Sequence, residues 1–286
     1  YRFIQAEKAS YPVEVLCRVL TVARSGYYAW CRRPLGARAQ QNHGLLTQIR
    51  TCYQASRGRY GSPRIHHDLR AHGFRVGRHR VARLMRLHGI RSIRPRRTWR
   101  QSAGALLPAV VRANVLRREF TATRPNEKWA ADITSVPTQQ GWLYLAVIID
   151  LYSRRVVGWA MAEQQTTALT VTALDRALRQ RPVLAGLLHH SDRGSPYGAV
   201  AYQHRLVSCG IRGSRSRPGN CWDNAVMESF FATLKTELIH GRPYHTRQDA
   251  RTEIFAYLEG LYNRARRHST LGYLSPVEFE ELDGVR

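Results

Sequence analysis

Carboxylates are scarce at the start of this chain. Residues 1–125 hold four (Glu7, Glu14, Asp68 and Glu119) against 26 Lys and Arg, a net charge of +22, whereas residues 126–286 hold 16 against 19. A half this basic repels itself unless it meets a polyanion. DNA or RNA is the expected partner, held with an affinity that falls steeply with salt. Long apolar runs are missing too. The most apolar stretch, residues 143–150, has the length of a strand, far short of the ~18–20 residues that span a bilayer. The alternative, an anionic membrane surface, is disfavoured because no long amphipathic helix carries the charge. The five cysteines are scattered, with no C-x-x-C pair, so neither a disulfide framework nor a cysteine zinc site follows. A reducing cytoplasm fits this usage. The chain shows no signal peptide and begins without methionine at Tyr1-Arg2-Phe3-Ile4; a fragment, a processed product or a segment normally fused to something upstream is expected.

What is present suffices for a packed core, since 43% of the 286 residues are hydrophobic. Residues 10–33 read as two short helices with a break at Ser25-Gly26, and residues 41–55 as a third. The clearest helical unit is 60–91. Ser62 can cap a helix whose first position is Pro63; Ile65 and Leu69 share its apolar face, and Gly73 can stop it. Gly77 opens a second helix with Val81, Leu84, Met85 and His88 at helical spacing. Arg80, Arg83 and Arg86 lie off that stripe, and Arg78 stands at the helix start. Two short helices, a glycine-containing turn and a basic second helix describe a helix-turn-helix, with the second helix offered to a major groove. Residues 92–125, with Arg94-Pro95-Arg96-Arg97 and Arg117-Arg118, read as a linker that can track phosphates. From Asn126 the pattern changes. Residues 129–136, 142–149 and 153–161 read as an antiparallel meander, followed by a helix over 167–179, a short buried strand over 187–191, a helix over 200–209 and a flexible loop over 214–220. One long helix from 224 to about 240 and a last one over 247–262 precede a basic tail.

Three carboxylates stand out in that second half. Asp132 lies mid-strand between Ala131 and Ile133, where an unpaired carboxylate is costly unless it binds a cation. Asp192 follows the apolar strand at a Gly- and Pro-containing turn, and Glu228 sits on the long helix, with Lys235 two turns on along the same face. Two strands and a helix can bring three carboxylates around two divalent cations roughly 4 Å apart, and Mg²⁺ favours such oxygen donors. One ion would activate a water or a 3′-hydroxyl and the other stabilise the leaving oxygen, with Lys235 on a neighbouring phosphate. Asp150 and Asp223 are the decoys, read as caps of a turn and of a helix. His189 and His190 are possible ligands without zinc spacing.

The combination resembles a known family. Thirty-five residues separate Asp192 from Glu228, similar to the Asp, Asp, 35 residues, Glu signature of retroviral integrases and many bacterial insertion-sequence transposases. The surrounding text is similar as well: Trp129-x-x-Asp132-Ile133-Thr134, His190-Ser191-Asp192-Arg193-Gly194-Ser195-Pro196-Tyr197, Trp222-Asp223-Asn224-Ala225-x-x-Glu228-Ser229-Phe230-Phe231, and the tail Tyr262-Asn263-x-x-Arg266-Arg267-His268-x-x-Leu271-Gly272-Tyr273-x-Ser275-Pro276. The chain resembles the second-frame product of insertion sequences that use two overlapping reading frames.

That resemblance implies an α/β, ribonuclease-H-like integrase core, a mixed five-stranded sheet flanked by helices, preceded by an all-α helix-turn-helix region. The expected divisions are a helical region at 1–58, the helix-turn-helix at 59–92, a basic linker at 93–125, the catalytic core at 126–241 and a C-terminal helix and tail at 242–286. Asp132, Asp192 and Glu228 carry over as metal-binding catalytic residues for Mg²⁺, with Mn²⁺ as substitute and two ions per site, and Lys235 as a DNA contact. Arg78, Arg80, Arg83, Arg96 and Arg97 are the further DNA-contact candidates. The expected activity is cleavage of a phosphodiester at a transposon end, followed by strand transfer with the freed 3′-hydroxyl. The expected partners are transposon-end and target DNA, further copies of the chain and an upstream first-frame segment that carries its own helix-turn-helix and leucine zipper. The expected place is the bacterial cytoplasm, at the nucleoid. A non-catalytic DNA-binding regulator and a structure-specific nuclease are the other readings. Three intact carboxylates speak against the first, and a basic half suited to extended duplex binding against the second.

Overall fold

Left-handed residues stand at three helix junctions of the first ninety residues, at Thr21, at Arg57 and Gly58, and at Gly73. In the computed structural model, which describes residues 1–32, 36–93, 114–217, 220–239 and 244–284, the chain forms two units, Tyr1–Arg91 and Ser92–Arg286. The first unit is all-helical: α1 (Arg2–Glu7), α2 (Val13–Val19), α3 (Arg24–Arg32), α4 (Ala37–Ala55), α5 (Ser62–Ala71) and α6 (Arg78–Leu87). It has two cores. Ile4, Leu16, Cys17 and Tyr27 close the first. The second joins α4, α5 and α6 through Leu45, Ile49, Cys52, Tyr60, Ile65, Leu69, Val81, Leu84 and Met85. Gly73, at φ +85°, lets the Phe74 N–H turn back onto the Leu69 carbonyl at 2.9 Å, the closure that ends a helix in a left-handed residue.

Three local expectations change here. The break in the first segment falls at Thr21, φ +53°, and α3 runs unbroken through Ser25-Gly26, because Tyr27 on that stretch is needed in the core. Ser62 is the first residue of α5, with Gly61 at the cap and no side-chain cap bond. His88 is exposed at the end of α6 rather than on its apolar stripe.

The second unit is built on a five-stranded mixed sheet. Its strands are β1 (Lys128–Thr138), β2 (Gly141–Asp150), β3 (Val156–Ala162), β4 (Leu188–Ser191) and β5 (Arg212–Arg215), in the order β3-β2-β1-β4-β5. β1, β2 and β3 pair antiparallel, whereas β4 joins β1, and β5 joins β4, in parallel. The other elements are α7 (Thr167–Gln180), α8 (Ser195–Gly198), α9 (Val200–Ser208), α10 (Ala225–Leu234), α11 (Arg247–Phe255) and α12 (Pro276–Leu282).

Side-chain alternation sorts β1 between two cores. Trp129 and Ala131 face one core with Leu169, Ala173 and Leu174 of α7. Ala130 and Val136 face the other with Met227, Phe230, Phe231 and Leu234 of α10. The expected loop over 214–220 begins instead as β5. Its sequence, Arg-Gly-Ser-Arg, has no apolar alternation, and its place is settled by pairing to β4. The two long C-terminal helices are also interrupted. α10 starts after a 3₁₀ turn (Cys221–Asn224) and ends in a π turn (Lys235–Ile239), and α11 runs into a second π turn (Ala256–Tyr262).

One glycine sets the distance between α7 and the sheet. A Cβ on Gly158 of β3 would run into the Ala173 carbonyl and come within 2.7 Å of the Ala177 Cβ. Gly158→Ala is therefore expected to force α7 outward and lower stability by about 1–3 kcal/mol, the usual cost of overpacking. Thermal unfolding checks this, and an unchanged midpoint would contradict it.

Candidate active site

The parallel pairing of β1 with β4 defines the site. The register runs from Lys128 opposite Leu188 to Ala131 opposite Ser191. Asp132 and Asp192 each follow that last pair by one residue, Asp192 just past the end of β4, and the Asp192 charge acts on Asp132. Alternation puts Asp132 on the side of Ala130, the side that α10 covers. On α10, Met227, Phe230, Phe231 and Leu234 turn inward while Glu228 stays exposed. Sheet register and helix phase thus bring the three carboxylates to one corner.

The electrostatics agree with that convergence. Burial pushes the Asp132 carboxyl well above its ordinary value, and the charges of Asp192 and then Glu228 push it the same way. The Ile133 N–H, donated to Asp132 Oδ1 at 2.8 Å, and the Lys235 ammonium oppose the shift without cancelling it. Burial also raises Asp192, against the Gly194 N–H on its Oδ1 at 2.9 Å and the Arg215 guanidinium. Partial desolvation by the surrounding protein raises Glu228, although its side chain stays open to solvent. Among the described residues no three His, Cys, Asp or Glu side chains stand close enough together to hold an ion as they are. The donor chemistry still suits a hard divalent cation, since all three are carboxylates.

Several residues that brace this corner escaped the sequence reading. Asn224 donates from Nδ2 to the Ala131 carbonyl at 3.4 Å, joining the start of α10 to β1 next to Asp132. Its Oδ1 is buried without a partner, an arrangement that asks for a donor or a cation. Arg215 holds the turn after β4, donating to the carbonyls of Asp192 at 3.4 Å and Gly194 at 3.3 Å. Arg193 reaches the Ser216 carbonyl at 2.7 Å. Asn224 was visible within the Trp222-Asp223-Asn224 run, but nothing in its spacing marked it as buried.

The decoys resolve differently. Asp150 accepts from the N–H groups of Asn126 at 2.7 Å and Tyr152 at 2.8 Å, holding the turn as expected, and burial pushes its carboxyl up to about 7. Asp223 does not cap its helix. It is fully buried and accepts from the Arg217 N–H and guanidinium, from Arg118 and from Asn114, and the Arg217 bonds foremost hold it far below the carboxylate range. Residues 114–118 are thereby fastened to the turn that precedes Glu228. His189 and His190 are spent in packing: His189 hydrogen-bonds Tyr202, and His190 the Ser214 and Ser216 hydroxyls. Burial lowers them to about 3 and about 4, leaving both neutral.

The basic candidates of the first unit also divide. Arg78 and Arg83 are exposed on α6. Arg80 turns inward, its Nε donating to Asn42 Oδ1 of α4 at 2.9 Å. Arg96 and Arg97 lie outside the described residues.

Two outcomes follow. In chelator at neutral pH, Asp132→Asn is expected to raise the melting temperature by a few degrees, because it removes a desolvated charge facing a like one; a lower midpoint would mean that the carboxylate is structural. Arg83→Ala is expected to keep the melting temperature and reduce the log–log salt slope of DNA binding by about one, whereas Arg80→Ala lowers the melting temperature. Equal effects of the two arginines on melting would contradict their different placement.

Comparison with known proteins identifies the family. Residues 122–221 and 209–276 match two family models described as integrase core domains, and residues 40–98 match an HTH-like domain. The transposase InsF for insertion sequence IS3A of Escherichia coli (strain K12) is 43% identical over 283 residues, 98% of each chain. The insertion element IS600 uncharacterized 31 kDa protein of Shigella sonnei is 42% identical over 266 residues, 93% of this chain and 97% of that one. Among solved structures, the HTLV-2 integrase catalytic core domain in complex with magnesium is similar at 17% identity and a TM-score of 0.42, over 55% of this chain and 97% of that one. With such identity to InsF over almost the full length of both chains, and with an HTH-like and an integrase core model matched in turn, this chain belongs to the insertion-sequence transposases of the InsF type.

Proposed function

We propose that this transposase cuts a phosphodiester at the end of its element with an activated water and joins the freed 3′-hydroxyl to a second DNA strand, both at Asp132, Asp192 and Glu228. The observation that supports the reading is that the paired stretch of β1 and β4 ends at Ala131 and Ser191, one residue before Asp132 and Asp192, and that the charges of Asp192 and Glu228 both reach Asp132. A fold tolerates such a charge pair poorly by itself, and the cost is offset when divalent cations bind between the groups. Mg²⁺, or Mn²⁺ in its place, suits the three carboxylates and the unpartnered Asn224 Oδ1. Two such ions, when bound, would lower the pKa of a water or hydroxyl and stabilise the leaving oxygen.

The chain's own groups supply position. Arg215 and the Gly194 N–H keep the Asp192 turn in one conformation, and Asn224 ties the start of α10 to β1. Lys235 lies two turns beyond Glu228, about 10 Å along the axis, where its ammonium can hold a phosphate next to the reacting one. The exposed arginines of α6 hold the duplex. We further propose that several copies act together on paired ends, that an upstream first-frame segment contributes to end recognition, and that the enzyme works on DNA in the bacterial cytoplasm. No helix among the described residues is long and apolar enough to cross a membrane.

The test is cleavage and joining of a labelled transposon-end duplex in Mg²⁺ or Mn²⁺, with Glu228→Gln as control. Wild-type protein should yield metal-dependent cleaved and joined products, reduced by ~10³-fold or more in the variant, a barrier change of about 4 kcal/mol. Activity that survives Glu228→Gln would sink the assignment of the three carboxylates.

A further inference from the structure

The HTH-like match begins at residue 40, and the arginines so far offered to DNA stand on α6 or in the linker. Residues 1–32 nevertheless build a compact motif of their own. We propose that α2 and α3 form a second helix-turn-helix, and that the exposed face of α3 reads base edges in the major groove of duplex DNA.

The connection between the helices has the right length. Four residues, 20–23, separate α2 from α3, the three-to-four-residue turn that this motif uses; six residues, 72–77, separate α5 from α6. The closures match in form. The Thr21 N–H bonds the Arg18 carbonyl at 3.2 Å and the Val22 N–H the Cys17 carbonyl at 2.9 Å, as Gly73 bonds Arg70 and Phe74 bonds Leu69 at the end of α5. Thr21 holds the left-handed position that Gly73 holds there. A β-branched residue is strained in that conformation, so packing must hold the turn closed. Leu16 and Cys17 of α2, Tyr27 of α3 and Ile4 of α1 supply it. α1 also braces α3 from behind, with the Tyr27 hydroxyl donating to Gln5 Oε1 at 2.7 Å.

With Tyr27 buried and Trp30 half-buried, Arg24, Ser25, Tyr28, Ala29 and Arg32 are exposed. Positions 25, 28, 29 and 32 recur at helical spacing and so share one face. Their chemistry suits a groove. The Ser25 and Tyr28 hydroxyls can donate to or accept from base edges, Ala29 allows close approach to a thymine methyl, and Arg32 can reach phosphate or guanine. α3 carries no acidic residue. The one carboxylate near its start, Glu14, is engaged by Arg24 at 3.3 Å. Residues 1–32 hold five Lys and Arg against two acids. The competing use of this surface is to dock an apolar protein segment in the open cleft that Tyr28 shares with Val13, Tyr27 and Trp30.

The test selects binders from a pool of random-sequence duplexes with the full chain, with Ser25→Ala/Tyr28→Ala, with Ser25→Ala alone and with Arg83→Ala. Circular dichroism confirms that each variant is folded. The wild-type chain should enrich a motif of two separated blocks. The double variant should lose one block, with enrichment there falling about 10-fold or more. Ser25→Ala should weaken that block alone, and Arg83→Ala should leave it intact. An unchanged motif in the double variant, equal loss on every sequence, no enriched motif with the wild-type chain, or a change confined to the mass of the chain's assemblies would each overturn the proposal. Selection needs binding and no catalysis, so its failure is separate from failure of the cleavage reaction.

Discussion

Asp132 on β1 and Asp192 just past the end of β4 repel each other, and the second unit keeps them near regardless. Among the described residues, Asp132 is helped by the Ile133 N–H and the Lys235 ammonium, which do not offset its burial and the charges beside it. What holds it in place is backbone: ten residue pairs with β2 on one side and four with β4 on the other. The neighbouring strand is pinned in turn, since His190 of β4 bonds the Ser214 and Ser216 hydroxyls and Ser214 accepts from the backbone at Val115 and Leu116. Strain concentrated at one corner and over-determined by rigid surroundings is how pre-organised sites are built.

The same residue type behaves in opposite ways a short distance apart. Asp132 and Asp192 are pushed toward the protonated form because burial removes water without supplying enough positive charge. Asp223 has no solvent exposure either, but guanidinium groups from Arg217 and Arg118 donate to it and keep it ionised. The satisfied aspartate anchors the chain, fastening residues 114–118 and the turn before Glu228. The unsatisfied ones are left with capacity for a cation. Burial alone does not separate the two roles; the identity of the partner does.

Much of this was legible from residue order. The net charge of the first half pointed to DNA, and strand alternation placed Asp132 off the face of Ile133. Helical periodicity put Lys235 on the same face as Glu228. These signals are local, set by the two-residue and 3.6-residue repeats of backbone geometry. Motif similarity supplied the rest of the fold class.

Other features depended on contacts between segments far apart in the chain. β5 has no strand pattern of its own and becomes a strand because β4 offers it an unpaired edge. Arg80 looked like a neighbour of Arg83 until Asn42, 38 residues away, claimed it. Asp223 looked like a cap until residues 114–118 folded onto it. Residue order settles which residues can be strands, helices and ligands, because short-range sterics and periodicity decide that. Which polar groups are satisfied and which remain available depends on the folded chain, because hydrogen-bond partners and desolvation come from segments that periodicity does not connect.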